Sequence, residues 1–204
     1  MKSNSQAGQD LFVLSCLNYK RNGTFLEIGS NDAISINNSY LLEKDYGWTG
    51  IMVEYEPRFL SSYKIHRPKS THVIADATKI DYTSYRKSLP QNVDYLQIDL
   101  EVENASTIAT LRKVRDELMD THRFATVTFE HDIYRGDFYN TRAESRSIFD
   151  SKGYVRVFSD VKNKNSAFED WYVHPDLVDM AYINTIQTDY SLEYTELIKR
   201  FRVA

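Results

Sequence analysis

Short apolar runs alternate with helical patterns along most of the chain. The runs are rich in β-branched and aromatic residues, and they predict strands at about 24–29, 50–54, 71–75 and 94–99 and in the stretch ATVTFEH at 125–131. Apolar positions that repeat with the helical period predict helices near 5–18, 105–120 and 142–151. Strands that alternate with helices in this way are typical of a mostly parallel sheet with crossover helices.

The end of the chain has a different pattern. The runs GYVRVFSD at 153–160 and FEDWYVH at 168–174 are separated by a segment without helical periodicity, so they predict a closing antiparallel hairpin. The length of 204 residues suits one domain. We therefore expect a single α/β domain over 1–204, with a Rossmann-like, mostly parallel seven-stranded sheet and helices on both faces. A leading helix within 1–20 and a helical tail at 180–204 complete it.

Acidic residues recur at the ends of the predicted strands. Four successive strands deliver a carboxylate at or just beyond their C-terminal end, and these are Glu54, Asp76, Asp99 and Glu130. In an open α/β sheet, ligands bind outside the carboxyl ends of the strands. The repetition of acids therefore predicts a ligand site at this edge.

The first predicted strand leads into the turn TFLEIGSND at 24–32, which contains Glu27, Gly29 and Asp32. A glycine lets the backbone approach a ligand closely, and an acid at the end of the next strand, Glu54, can accept hydrogen bonds from both ribose hydroxyls. The sequence lacks the further glycines of a dinucleotide fingerprint, and two acids beside the turn oppose a phosphate. S-adenosylmethionine carries a sulfonium and an ammonium and no phosphate, so these charges favour it over a nicotinamide cofactor.

The composition narrows the class of protein. A formal net charge of -4 and a pI of about 5.8 provide no basic surface, so we expect no nucleic-acid partner. A lone cysteine, Cys16, allows no internal disulfide. The first ten residues are polar, and no apolar stretch approaches the ~18 residues that cross a bilayer. These features predict a cytoplasmic protein without a membrane partner.

Five sequence blocks together resemble the FkbM-type methyltransferases, which belong to the class I S-adenosylmethionine-dependent superfamily. The blocks are SQAGQDLFVL at 5–14, GTFLEIGSNDAISINNSYLLEKDYGWTGIMVEYEP at 23–57, DYLQIDLE at 94–101, TVTFEHDIYRGD at 126–137 and SAFEDWYVHPDLV at 166–178. Two positions depart from the family pattern. Ala33 stands where the family usually has a glycine, and LEVEN at 100–104 stands where many members have an acid followed by glycine.

The resemblance implies a cofactor site along the strand ends. It places these residues around S-adenosylmethionine: Ser5 and Gln9 over its carboxylate, Glu27, Gly29, Asn31 and Asp32 at its methionine portion, Glu54 at the ribose, Asp76 and Ala77 at the adenine, and Asp99 beside them. Taken singly, each acid has an ordinary alternative as a helix cap or a solvated loop carboxylate.

Methyl transfer to an oxygen also requires a base for the hydroxyl proton. His131 is the expected base, because histidine titrates near neutrality, and Glu130 and Asp99 are expected beside it as further catalytic residues. A packed structural histidine is the alternative. A second alternative is that Asp99, Glu130 and Asp132 hold Mg²⁺, which prefers oxygen ligands. The residues expected to contact the acceptor are Asp132, Tyr134, Trp171 and His174.

The expected reaction is O-methylation of a sugar, a glycan or another small hydroxylated acceptor, by a protein that can form homo-oligomers. Two other functions remain open. The LEVEN departure is compatible with a catalytically silent cofactor-binding or interaction module. A nicotinamide-dependent oxidoreductase is disfavoured because the turn lacks a second glycine.

Overall fold

A seven-stranded sheet forms the centre of the protein, in a computed structural model that describes residues 2–202. Its strands are Thr24–Ile28 (β1), Thr49–Glu54 (β2), Thr71–Ile74 (β3), Asn92–Ile98 (β4), Arg123–Glu130 (β5), Val155–Asn163 (β6) and Ser166–Val173 (β7). Their spatial order is β3-β2-β1-β4-β5-β7-β6. Strands β1 to β5 are parallel, and β7 is antiparallel to both β5 and β6. The predicted mostly parallel sheet with a closing hairpin is confirmed.

Helices cover both faces of this sheet, as predicted. They are Gln9–Cys16 (α1), Tyr40–Tyr46 (α2), Leu60–His66 (α3), Ser106–Glu117 (α4), Thr141–Ser151 (α5), Met180–Ile186 (α6) and Tyr194–Ile198 (α7). Side chains alternate between the two faces along each strand. Phe25 of β1 packs in the core under α1, α2, α6 and α7, and its neighbour Leu26 packs in the core under α4 and α5.

Two details of these elements differ from the expectations. Helices α2 and α3 have no counterpart among the predicted helices. The hairpin connection is only two residues long, because β6 continues to Asn163 and the next two residues, Lys164 and Asn165, take left-handed φ values of 53° and 67°. The segment from 180 carries α6 and α7, and its last two residues, like residue 1 of the leading segment, lie outside the described residues.

The leading helix begins later than predicted. Gly8 has a left-handed φ of 80° and precedes α1, so the chain before it forms a loop. Asp10 of α1 holds that loop, since its carboxylate accepts hydrogen bonds from Ser3 Oγ at 2.6 Å and from Asn4 N at 2.8 Å. None of the helices within residues 2–202 has the length and apolar character needed to cross a bilayer.

The strand order places a crevice at one edge of the sheet. Strand β1 lies between β2 and β4. Strands β2 and β3 follow on one side of β1 and strands β4 and β5 on the other, so the strand order reverses at β1. Ligands of open α/β sheets bind at such a reversal, outside the carboxyl ends of the strands. Gly29 follows β1 and Asp99 follows β4 at this point.

Candidate active site

A cavity of about 1160 Å³ opens at the carboxyl edge of the sheet, among residues that end or follow β1 to β5. Most ligand pockets measure roughly 300–1,000 Å³, so this one has room for a cofactor and an acceptor together. Seven carboxylates and two arginines line it, and these are Glu54, Glu56, Asp76, Asp99, Glu101, Glu130 and Asp132 with Arg58 and Arg135. The acidic wall favours a cationic ligand over a phosphorylated one.

Gly29 forms the turn after β1 and lies in the cavity wall. Its φ is 87°, a left-handed value that favours glycine. The turn is held on β2 by two hydrogen bonds, which Gly29 N and Ser30 N donate to Val53 O at 2.9 and 3.1 Å. Because position 29 has no side chain, the main chain itself forms this part of the wall.

Glu54, at the end of β2, is fixed in the wall by the main chain. Its Oε2 accepts a hydrogen bond from Asn31 N at 2.7 Å, and its Oε1 accepts one from Glu56 N at 2.8 Å. An ionised carboxylate offers about four acceptor positions. The remaining positions suit a ribose diol, as the sequence predicts for this residue.

Asp76 and Ala77 line the cavity beyond β3, at the expected adenine position. Asp76 Oδ1 accepts hydrogen bonds from Thr78 Oγ1 at 2.6 Å and from Thr78 N at 3.0 Å, and Lys79 Nζ lies 3.0 Å from Oδ2. The threonine hydroxyl lowers the pKa of the Asp76 carboxyl. This carboxylate is therefore anionic and oriented.

Glu27 and Asp32 shape the turn from outside the cavity wall. Glu27 is fully buried, 3.3 Å from Asn37 Nδ2 and 4.0 Å from Arg67 Nη1, and burial raises its pKa. Asp32 Oδ1 accepts hydrogen bonds from Ile34 N at 2.9 Å and from Ser35 N at 2.8 Å. The expectation of direct contact with the methionine portion is not supported, because neither residue lines the cavity; Glu27 Oε1 is buried without a hydrogen-bond partner among residues 2–202.

The leading segment contributes a different residue from those predicted. Gln6 lines the cavity, whereas Ser5 and Gln9 do not. Ser5 Oγ donates to Asp10 at 2.9 Å, and Gln9 Nε2 donates to Glu169 at 3.0 Å. The polar side-chain atoms of Ser5 and Gln9 are thus bonded to other residues of the protein. Of the three residues, only Gln6 lines the cavity.

Three carboxyl groups meet at the other end of the cavity. Asp99, Glu130 and Asp132 all line it, and Glu130 is hydrogen-bonded to both of the others. Burial raises the pKa of each of the three groups, and for Glu130 the charge of Asp99 raises it further. Like charges this close disfavour ionisation, so these carboxyls give up their protons at higher pH than isolated ones do. Tyr134 also lines the cavity, and its contact with an acceptor stays a prediction.

His131 does not reach the cavity wall. Its side chain is fully buried, its Nδ1 accepts a hydrogen bond from Ile133 N at 3.2 Å, and its Nε2 lies 3.4 Å from Asp160 and 3.5 Å from Asp170. Successive residues at a strand end point to opposite faces. Glu130 therefore faces the cavity while His131 packs behind it, and the expected role of His131 as base is not supported.

Trp171 and His174 also lie away from the cavity. Strand β7 runs antiparallel to β5, so its C-terminal end reaches the opposite edge of the sheet, where His174 N donates to Ala125 O at 3.0 Å. Trp171 is fully buried in the core against Phe12 and Phe158. The expectation that these two residues contact the acceptor is therefore not supported. The antiparallel direction of β7 takes His174 to the opposite edge, and Trp171 packs in the core.

The proposed magnesium ligands Asp99, Glu130 and Asp132 do not all have ligand atoms within 4.8 Å of one another, although Glu130 lies beside each of the other two. Within residues 2–202, one trio of acidic or histidine side chains has ligand atoms within 4.8 Å of one another, and it is His131, Asp160 and Asp170. Two arginines already pair with the carboxylates of that trio, since Arg146 donates to Asp170 at 2.6 Å and to Asp160 at 2.9 Å, and Arg142 donates to Asp160 at 3.0 Å. A Mg²⁺ ion keeps several waters and needs only one or two carboxylates. A role for it beside Asp99, Glu130 and Asp132 stays a prediction.

Some wall residues were not predicted. Tyr55 and Leu100 each follow a predicted acid by one position. The expectation that ligands bind outside the carboxyl ends of the strands could therefore have identified both as wall residues. The other wall residues lie where the hydrophobic pattern does not indicate a ligand site. Phe59 and Ser106 lie at the starts of helices, and Gln6 lies in a loop.

No family model matches the sequence, and no curated protein matches it. Solved structures do match. The chain is similar to a putative rRNA-methylase from Clostridium thermocellum, with 10% identity and a TM-score of 0.56 over 85% of this chain and 99% of that one. It is similar to an rRNA methylase from Streptococcus thermophilus, with 11% identity and a TM-score of 0.52 over 85% and 98% of the two chains.

A third similar structure is a TehB-like SAM-dependent methyltransferase from Corynebacterium glutamicum, with 11% identity and a TM-score of 0.51 over 81% of this chain and 87% of that one. At sequence identities of 10% and 11%, these structural similarities are evidence of a shared fold only. The chain therefore has the Rossmann-like fold of class I S-adenosylmethionine-dependent methyltransferases.

Proposed function

We propose that the protein is an S-adenosylmethionine-dependent methyltransferase of the FkbM type that methylates a hydroxyl oxygen of a sugar or another small polyol. The observation that carries the proposal is Glu54, which is held by Asn31 N and Glu56 N beside the Gly29 turn in an acidic cavity. A carboxylate fixed in this way is prepared for a ribose diol before any ligand arrives.

The cofactor half of the cavity fits a cationic nucleoside. S-adenosylmethionine, when bound, supplies a methyl group on a positively charged sulfur. Glu54 would hold its ribose, Asp76 and Ala77 its adenine, and the main chain at Gly29 would lie against its methionine portion. A nicotinamide cofactor would instead bring its phosphates to a wall with seven carboxylates and two arginines.

The acceptor half of the cavity supports oxygen chemistry. Glu130 and Asp99 line it, burial raises the pKa of both carboxyls, and once ionised a carboxylate of raised pKa accepts a hydroxyl proton better than an ordinary one. Asp132 and Tyr134 beside them offer hydrogen-bond partners for further hydroxyls of a sugar. We assign the base to Glu130 with Asp99, in place of His131.

RNA is a poor candidate for the acceptor, although two of the similar structures are named rRNA methylases. Binding of RNA depends on Lys and Arg that neutralise phosphates. This chain has a formal net charge of -4, and its cavity wall is acidic. The acidic wall repels the phosphates of RNA, whereas it does not repel a neutral polyol.

Calorimetric titration with S-adenosylmethionine tests the cofactor assignment. Glu54→Gln should weaken binding by about 2 kcal/mol, because a charged hydrogen-bond partner is lost. Asp45→Asn, on the exposed end of α2, is the control and should bind as the wild type does. Wild-type affinity in Glu54→Gln, or binding of NADH in place of S-adenosylmethionine, would overturn the proposal.

A panel of sugars and polyols then separates an enzyme from a silent module. Turnover with radiolabelled methyl donor on any member supports O-methylation. Tight cofactor binding without transfer to any acceptor favours the cofactor-binding or interaction module.

A further inference from the structure

An exposed aromatic surface borders the acceptor end of the cavity. It belongs to the loop at 131–140 that joins β5 to α5, which we call the rim loop. Tyr134 and Arg135 of this loop line the cavity, whereas Phe138 and Tyr139 lie outside the wall. The three aromatic residues Tyr134, Phe138 and Tyr139 are 51%, 38% and 60% exposed.

Exposed apolar side chains are concentrated at this edge of the protein. Seven large apolar or aromatic residues are exposed among residues 2–202. Five of them belong to the cavity wall or the rim loop, and these are Ile36, Tyr55, Tyr134, Phe138 and Tyr139. Exposed apolar groups that lie together mark interaction sites. Their concentration here indicates an interaction surface that includes the cavity and continues past its wall.

The rim loop connects the wall directly to this outer surface. The Phe138 ring packs over Gly136, since a Cβ atom added to Gly136 would lie 3.6 Å from Phe138 Cζ. Arg135, the residue before Gly136, lines the cavity, and its Nη1 lies 3.2 Å from Glu103 Oε1 on the segment after β4. An aromatic ring is thereby held directly beside the mouth of the cavity.

The main chain of the rim loop is held in place, and at one position it is strained. Thr141 Oγ1 donates to Phe138 O at 2.6 Å, and Arg142 N donates to Asp137 Oδ1 at 3.0 Å. Tyr139 has a left-handed φ of 55°, which a bulky residue rarely adopts. Strain of this kind is concentrated at active sites and ligand clamps. Burial in the core does not account for the position of the exposed Tyr139 side chain, whereas contact with a ligand does.

The chemistry of the rim fits a carbohydrate better than an apolar partner. Carboxylates lie among the rings, with Asp132 and Glu101 in the wall and Glu103 paired with the rim loop. A sugar ring has an apolar C–H face that can lie on an aromatic ring, and its hydroxyls donate to carboxylates. An apolar partner would cover the same carboxylates without supplying donors, which is costly. A monosaccharide inside the cavity would leave Phe138 and Tyr139 unused, because neither lines it.

We propose that the acceptor is a neutral oligosaccharide whose terminal ring enters the cavity while the next ring lies on Phe138 and Tyr139. The methylation of that terminal ring rests on the proposed function, whereas the oligosaccharide-binding surface does not.

An array of neutral glycans with one to four hexose or deoxyhexose rings tests the proposal. Calorimetry then compares the glycan that binds most tightly with its own terminal monosaccharide. The longer glycan should bind at least ~5-fold more tightly to the wild type, because its second ring lies on an aromatic surface. Equal affinity for the two, or no binding to any glycan of two or more rings, would overturn the inference.

Tyr139→Asn removes the ring without adding backbone strain, since asparagine adopts left-handed φ values more readily. This variant should lose the preference for the longer glycan, keep its affinity for the monosaccharide and melt no lower than the wild type. Tyr190→Asn is the matched control, because Tyr190 is 54% exposed and lies outside both the wall and the rim loop. It should bind both glycans as the wild type does.

Phe138→Ala should show the same selective loss and serves if Tyr139→Asn does not fold. An unchanged preference in both rim-loop variants, or an equal loss of affinity for the monosaccharide, would contradict the proposed contact. A second copy of the chain is the competing occupant of this surface. Sedimentation that shows a wild-type dimer and a monomeric Phe138→Ala would assign the rim loop to a subunit contact and overturn the inference.

The glycan experiment and the cofactor experiment fail separately. Normal S-adenosylmethionine binding without a preference for the longer glycan removes only the role of the rim loop. A preference that depends on Tyr139, without S-adenosylmethionine binding, removes the proposed function and leaves the oligosaccharide-binding surface in place.

Discussion

A Cβ atom added to Gly29 would lie 1.8 Å from the carbonyl oxygen of Asp99. The main chains that follow β1 and β4 therefore approach each other so closely that only glycine fits between them. Asp99 N also donates to Ile28 O at 3.0 Å, so the approach is part of the sheet itself. Neither strand end can move away without breaking this ladder.

Gly29→Ala should therefore displace the turn and weaken binding of S-adenosylhomocysteine at least ~10-fold, since the clash is with backbone and φ is left-handed. Gly47→Ala is the matched control. Gly47 also has a left-handed φ, of 74°, but its added Cβ would meet only the Asn22 side chain, outside the cavity wall. Calorimetry should show a loss of affinity for the first variant alone, and thermal melting should show a larger destabilisation for Gly29→Ala, because its clash is with backbone and that of Gly47→Ala is with a side chain. Normal affinity in folded Gly29→Ala would exclude this turn as the cofactor loop.

Asp76→Ala should weaken binding of the same ligand by about 1 kcal/mol, roughly fivefold, because one hydrogen bond to the adenine is lost. Asp81→Ala is a close control, because Asp81 caps Thr83 N at 3.0 Å just as Asp76 caps Thr78 N at 3.0 Å, and Asp81 lies outside the cavity wall. A loss confined to Asp76→Ala identifies adenine contact, whereas equal losses would point to a general effect of uncapped turns.

The carboxyl edge of the sheet was predictable from sequence because one physical rule governs it. Glu54, Asp76, Asp99 and Glu130 end or follow parallel strands, and parallel strands bring their ends together. Short apolar runs rich in β-branched and aromatic residues predicted the strands themselves.

The direction of side chains was less predictable. His131 follows Glu130 by one residue, and that single step turns it to the opposite face. His174 was misplaced because sequence pattern does not fix which edge an antiparallel strand returns to. Ser5 and Gln9 were misplaced because their partners, Asp10 and Glu169, are set by tertiary packing.

Arg67 supports the loop after β1 from inside the protein, and its removal should destabilise the fold. It is fully buried, and it donates to Glu43 at 2.9 Å and to Asn37 Oδ1 at 2.8 Å, while Asn37 in turn donates to Ser30 O. Arg67→Met leaves Glu43 without its cation, and removal of one partner of a buried pair costs about 3–5 kcal/mol. Urea unfolding should show this loss, together with weaker cofactor binding at temperatures where the variant is folded.

Arg112→Met provides the comparison for Arg67→Met. Arg112 also pairs with a glutamate through two short hydrogen bonds, of 2.7 and 2.5 Å to Glu144, but at the surface. Exposed pairs contribute about 1 kcal/mol or less. Similar losses in the two variants would contradict a special role for burial of Arg67.

Glu169 should make the stability of the protein fall as pH rises. Burial raises its pKa in the folded protein to about 8, against an ordinary value of 4.5, so between these values the folded state keeps a proton that the unfolded chain has lost. Stability decreases with pH wherever the folded state binds more protons. Glu169→Gln has no such proton, and its stability relative to the wild type should increase from about pH 5 to about pH 8 by at most about 1.4 kcal/mol per unit. Urea unfolding at several pH values measures the difference. Glu196→Gln, which removes an exposed carboxylate beside Lys199 on the last helix, should show no comparable increase. A difference between Glu169→Gln and wild type that stays flat or falls over this range would mean that Glu169 is ionised in the folded protein, and that a cation or water not yet identified compensates its charge.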